Sequence, residues 1–153
     1  MNTTFFPNDL VELLREQSVL LEQLIEFGKQ QREAIDNNRM SELLAILAHK
    51  QPQLDRLGNL REQLHNVRAL IESDFFWQNA SMRRDCQIMR DQAARLFETL
   101  IEFENGCEVA LAESRNQIRH RLENIESGRA AANAYELQAT TPPSPRIDFS
   151  SMG

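Results

Sequence analysis

Residues 82–125 read MRRDCQIMRDQAARLFETLIEFENGCEVALAESRNQIRHRLENI, and the spacing of the apolar residues in this stretch decides the fold. Met82, Cys86, Met89, Ala93, Leu96, Leu100, Phe103, Cys107, Ala110 with Leu111, Ser114, Ile118, Leu122 and Ile125 follow one another at steps of three or four. Such steps average about 3.5 residues, the period at which one seam of a helix keeps facing a neighbour. A helix over this span is roughly 65 Å long at 1.5 Å per residue. Little else in a chain of 153 residues is long enough to cover it.

Upstream, two further helices are expected. Pro7 and Asn8 mark the start of the first by proline and N-cap chemistry, and it runs from about Asp9 to Ala34 or Ile35. Leu10, Leu13 with Leu14, Gln17, Leu20 with Leu21, Leu24, Phe27 with Gly28, Gln31 and Ile35 form its seam. Asp36-Asn37-Asn38 breaks that pattern; asparagine both turns a chain and caps the helix that follows. So short a loop returns the second helix antiparallel, from about Arg39 to Ile71. Its apolar positions are Leu43 with Leu44, Leu47, Leu54, Leu57, Leu60, Leu64, Val67 and Ile71. Pro52 lies inside it, which predicts a kink near His49 to Gln51 without a complete break. Phe75, Phe76 and Trp77 then plug the second turn, with a surface docking patch as the alternative.

The third helix starts near Asn79 or Ser81 and, carried to Asn133, reaches about 80 Å. The first two reach about 42 and 50 Å, so the third outruns them by some 20 residues. Gly106 and Gly128 weaken it by about 1 kcal/mol each relative to alanine without having to end it. Beyond Ser114, Ile118, Leu122 and Ile125 still form an apolar stripe, and burying each fully is worth roughly 1.5–3 kcal/mol. They therefore call for a partner: a second copy, a client helix, or the chain's own terminus folding back. The expected architecture is all-α, an elongated antiparallel three-helix coiled-coil bundle with a long third helix. A helical domain spans residues 1–136, and a flexible, disordered Pro-rich tail spans 137–153, with Pro142, Pro143 and Pro145 close together.

Composition narrows the function. The formal net charge of −6, with no local cluster of Lys and Arg, argues against general nucleic-acid binding, which needs a basic footprint. No apolar run is long enough to span a bilayer, and no basic stretch leads into an apolar core and cleavage site, so a cytoplasmic location is expected. Cys86 and Cys107 sit roughly 32 Å apart on one unbroken helix, which excludes a bridge between them. Both fall on the seam, as small buried hydrophobes. His49, His65 and His120 form no cluster with metal-ligand spacing, and the chain has neither a phosphate-cradling glycine loop nor a nucleophile elbow. The expectation is no enzyme, no cofactor and no metal.

The stretch Leu20-Leu21-Glu22-Gln23-Leu24, then Ala34-Ile35-Asp36-Asn37-Asn38-Arg39-Met40-Ser41-Glu42-Leu43-Leu44, then Lys50 and Leu54, resembles the flagellar export chaperones of the FlgN type. Asn105-Gly106-Cys107-Glu108 through Leu111, Arg115 and Leu122 looks like the long third helix of that family, and the likeness covers about residues 10–136. The resemblance implies a cytosolic chaperone of the flagellar type III export system. Such a chaperone grips an amphipathic C-terminal helix of the hook–filament junction proteins and keeps them unpolymerised. By position, Leu111, Ile118, Leu122 and Ile125 are then the client-binding residues. Tyr135, shortly after the third helix, is the candidate contact to the cytoplasmic domain of the export gate, and a merely exposed tyrosine at a helix end is the alternative. After it, Glu136-Leu137-Gln138-Ala139 stands where the family pattern has a glycine-containing turn. The other readings are a homo-oligomeric coiled-coil scaffold using the same stripe for itself, and a chaperone of a different secretion apparatus. Monomer and homodimer are both compatible with the sequence.

Overall fold

The structure, a computed structural model, describes residues 4–140 and is all-helical over them. Four α-helices follow in order: α1 (Pro7–Asp36), α2 (Met40–Asn66), α3 (Arg68–Glu72) and α4 (Ala80–Thr140), with a 3-10 turn at Asp74–Phe76. The chain divides into two units, Met1–Ser114 and Arg115–Gly153.

In the first unit, α1 begins at Pro7, two residues before the expected Asp9. Phe6 is the cap, Pro7 occupies the first helical position where its missing N–H costs nothing, and the Phe6 N–H donates to Asp9 Oδ2 at 2.8 Å. Asn8 does not cap. The buried residues Leu10, Leu14, Gln17, Leu21, Leu24, Gly28, Gln31 and Ile35 alternate steps of four and three along the helix. The helix ends in a Schellman-type turn. Asn38 takes φ 55°, the Arg39 N–H donates to Ala34 O at 2.8 Å and the Asn38 N–H to Ile35 O at 3.1 Å. Asparagine thus closes α1 but does not cap α2, whose cap residue is Arg39 with no side-chain bond.

One long second helix was expected; the structure has α2 and the short α3, parted at Val67 (φ −99°, ψ 6°). Inward-facing positions nevertheless carry across the break: Leu43, Ile46, Lys50, Leu57, Leu60, half-buried Leu64 and Val67, then buried Ile71. Leu44, Leu47 and Leu54, expected on the seam, are exposed instead, at 67%, 40% and 38%. Ile46 and Lys50 take the inward places. α2 continues through Pro52; both Pro52 and Ala48 are exposed, so the carbonyl left without a donor lies on the solvent side.

Three clusters make the core of this unit. Leu10, Leu14, Ile71, Phe76 and Cys86 form one; Leu21, Leu24, Ile25, Leu57, Ala93 and Leu100 the next; Ala34, Ile35, Leu43, Ile46, Cys107 and Ala110 the third. Each joins residues of α1, of α2 or α3, and of α4. At Gly28 an added Cβ would lie 3.1 Å from Phe103 Cβ, so α1 and α4 approach closely there. The aromatic plug is partly as expected. Phe76 is buried, stacks on Phe5 at 6.0 Å and meets Trp77 edge-on at 5.0 Å, and Trp77 Nε1 donates to Ile71 O at 3.0 Å. Phe75 is fully exposed and plugs nothing. Asn79 starts α4 by accepting from the Met82 N–H at 2.7 Å. Neither Gly106 nor Gly128 ends α4, and the helix includes residues 137–140, which composition assigned to the tail. Residues 141–153 lie outside the described residues.

Candidate protein-binding surface

The second unit, over its described residues, is the C-terminal part of α4. None of residues 115–139 is buried. Ile118 is 44% exposed, and Leu122 and Ile125 are 56% exposed each. At about 100° per residue these three fall within an arc of roughly 60°, so they form one apolar stripe on one face of the helix. Arg115, Arg119, Arg121, Glu123 and Glu126 surround it, and His120 approaches Glu123 at 4.0 Å. A stripe of branched aliphatics with alternating charge on its flanks is the surface an amphipathic helix docks against.

Leu111, grouped with these three by the sequence, belongs to the first unit. It is 42% exposed, next to the buried Ala110 and three residues before the buried Ser114. The switch from buried to exposed follows from what the first unit supplies: Ser114 Oγ donates to Asn38 Oδ1 at 3.2 Å, tying α4 to the turn that joins α1 and α2. Tyr135 is 73% exposed and lies inside α4, not beyond its end as the family pattern places it. Its hydroxyl is thereby carried on an exposed helical surface.

The sequence reading did not find Lys50 as a core residue. Lys50 is 3% exposed, and its ammonium donates to Gln31 Oε1 at 3.0 Å and to the Glu104 carboxylate. The signal was present in strict three–four spacing from Leu43 through Ile46, Lys50, Gln53, Leu57 and Leu60, which places the lysine on the seam. The adjacent row of Leu44, Leu47 and Leu54 masks it. Among the described residues no group of three or more His, Cys, Asp or Glu could hold a metal ion, and no helix is long and apolar enough to cross a membrane. Cys86 and Cys107 are both buried and free, and Cys107 Sγ lies 3.5 Å from Gly28 O. No protein-family model, curated protein or solved structure matches the chain.

Proposed function

We propose that the chain is a cytosolic export chaperone of the flagellar type III system. In this reading it holds an amphipathic C-terminal helix of a hook–filament junction protein on the stripe Ile118, Leu122 and Ile125, with Leu111 as an outlying contact. The first unit acts as an antiparallel coiled-coil bundle of α1, α2 and α4 that carries the binding helix, and Tyr135 contacts the cytoplasmic domain of the export gate. One observation carries the reading: three large aliphatic side chains stand about half exposed on one face of a helix, with no buried residue around them. Completing their burial is worth up to roughly 1–1.5 kcal/mol each, enough in sum for a reversible hand-off. The resemblance in the first two helices supplies the class of client.

The test is size-exclusion chromatography with light scattering on the protein mixed with a hook–filament junction protein. A 1:1 complex is expected, and Ile118→Asp with Leu122→Asp lowers its affinity at least about tenfold. Both residues are exposed, so the double variant keeps its thermal transition. An unchanged complex in that variant overturns the site. A stable dimer of the isolated chain that the same substitutions dissolve would assign the stripe to a scaffold instead.

A further inference from the structure

A cleft of about 360 Å³ opens in the first unit between α1, α2, α3 and α4. Its floor is mainly apolar: Leu10, Leu14, Leu64, Ile71, Ala93 and Phe97 are all buried or half-buried, with the buried amide side chain of Gln17 among them. Its exposed rim is cationic, made by Arg61, Arg68 and Arg90 with His65 among them, and neither Asp nor Glu lines it. That is unusual on a chain whose formal net charge is −6. Only Arg68 has an acidic partner, Glu72 at 3.4 Å, and that pair is two-thirds exposed on both sides. Arg61 lies 4.8 Å above the Phe97 ring, and among the described residues no ion pair engages its guanidinium. No ion pair engages Arg90 among the described residues.

We infer that this cleft is a docking site for an acidic peptide segment, one that inserts a large apolar side chain onto the Leu14, Ile71 and Phe97 floor while flanking carboxylates meet Arg61 and Arg90. Charge complementarity selects the occupant. Two guanidiniums without a carboxylate partner, those of Arg61 and Arg90, can form bidentate pairs with Asp or Glu, and the floor has the volume of one or two aliphatic or aromatic side chains. The site is separate from the stripe of the proposed function and does not depend on it.

The experiment uses the full chain and a fluorescein-labelled helical peptide of about 18 residues, with Leu and Phe on one face and Glu on the flanks, against a version with every Glu replaced by Lys. Fluorescence anisotropy is expected to give at least tenfold tighter binding of the Glu peptide, weakening steeply from 50 to 300 mM salt as surface charge pairing does (roughly a Debye-length effect). Arg90→Gln, at an exposed position with no pairing to lose, should weaken it about tenfold, and Arg61→Gln similarly. In a chain carrying Ile118→Asp with Leu122→Asp, which removes the stripe as a second docking surface, the Glu peptide should still bind more tightly than the Lys peptide, and the arginine variants should still weaken it. Equal affinity for both peptides, or binding that survives Arg90→Gln with Arg61→Gln in a chain whose circular dichroism is unaltered, overturns the inference. So does self-association abolished by the arginine variants, which would give the cleft to a second copy.

Discussion

Lys50 and Ile125 invert the usual assignment of charged and aliphatic side chains. The lysine is 3% exposed and the isoleucine 56%. In the first unit, α1, α2 and α4 supply walls around every seam position, so even an ammonium is buried once Gln31 and Glu104 offer it oxygen atoms. In the second, the described chain is one helix segment with no buried residue, and aliphatic character by itself covers nothing. Burial follows from what faces a position, and hydropathy only sets what that burial is worth.

The largest expected effect breaks this comparison most directly. Leu24 is fully buried in the middle cluster, and Leu24→Ala should cost about 2–5 kcal/mol in urea unfolding followed by circular dichroism. Ile125→Ala should stay within about 0.5 kcal/mol of the parent. Comparable costs at the two positions would mean that the second unit buries its stripe after all.

A smaller effect isolates the lysine. Lys50→Met removes the donor from Gln31, itself 4% exposed, and should cost about 1–3 kcal/mol by leaving a buried amide unpaired. Adding Gln31→Leu removes that penalty and should bring stability back to the parent's or beyond it, as replacement of buried polar groups by apolar ones often does. What the double variant is expected to lose is uniqueness of alignment, visible as broadened methyl resonances in the first unit. Sharp resonances with restored stability would show that Lys50 does not set the register.

These residues also show how far sequence reading reached. The long third helix, the Asn38 turn and the two buried cysteines were legible because each is a local or periodic signal: a seam at steps of three and four, an asparagine that tolerates positive φ. The break at Val67 was not, since neither proline nor glycine marks it and the inward-facing pattern crosses it undisturbed. Leu44, Leu47 and Leu54 were misplaced because two leucine rows lie side by side on α2, and only the facing helices decide which is covered. Of the candidate surface, the apolar stripe was legible and the helical setting of Tyr135 was not: Glu136-Leu137-Gln138-Ala139 are helix formers, a weak signal set against the family's turn. The arginine-rimmed cleft is not legible in sequence, because its wall gathers residues from four helices that no run of sequence brings together.

Glycine gives the next contrast, near 1 kcal/mol. Gly28→Ala gains about 1 kcal/mol of helix propensity but presses Phe103, and overpacking of about 1–3 kcal/mol should leave a net loss. Around Gly58 and Gly128 nothing lies within 4 Å of an added Cβ, so alanine at either should add helicity without strain. At Gly128 the gain should appear as ellipticity at 222 nm (~1 kcal/mol locally) with no shift in the unfolding midpoint of the first unit. A midpoint shift there would couple the two units.

The smallest effect comes from the thiols. Burial pushes Cys86 and Cys107 above the ordinary value of 9.0, with Asp85 beside the first and Glu104 beside the second acting in the same direction. In the unfolded chain the thiols ionise near 9.0, so as pH rises past that point the unfolded state releases its protons first. Stability from this source is fully present below pH 9 and falls as pH climbs through the folded values. Cys86→Ala with Cys107→Ala carries a cavity cost that is the same at every pH, so the difference in melting temperature between parent and variant should narrow above pH 9. Both thiols belong to the first unit, and this pH dependence therefore reads that unit alone. Placing a third by Ile125→Cys completes the comparison: at neutral pH the new thiol should react with a disulfide reagent within seconds to minutes, whereas the two native ones wait for unfolding. Equal rates at all three would mean that the first unit opens as readily as the second.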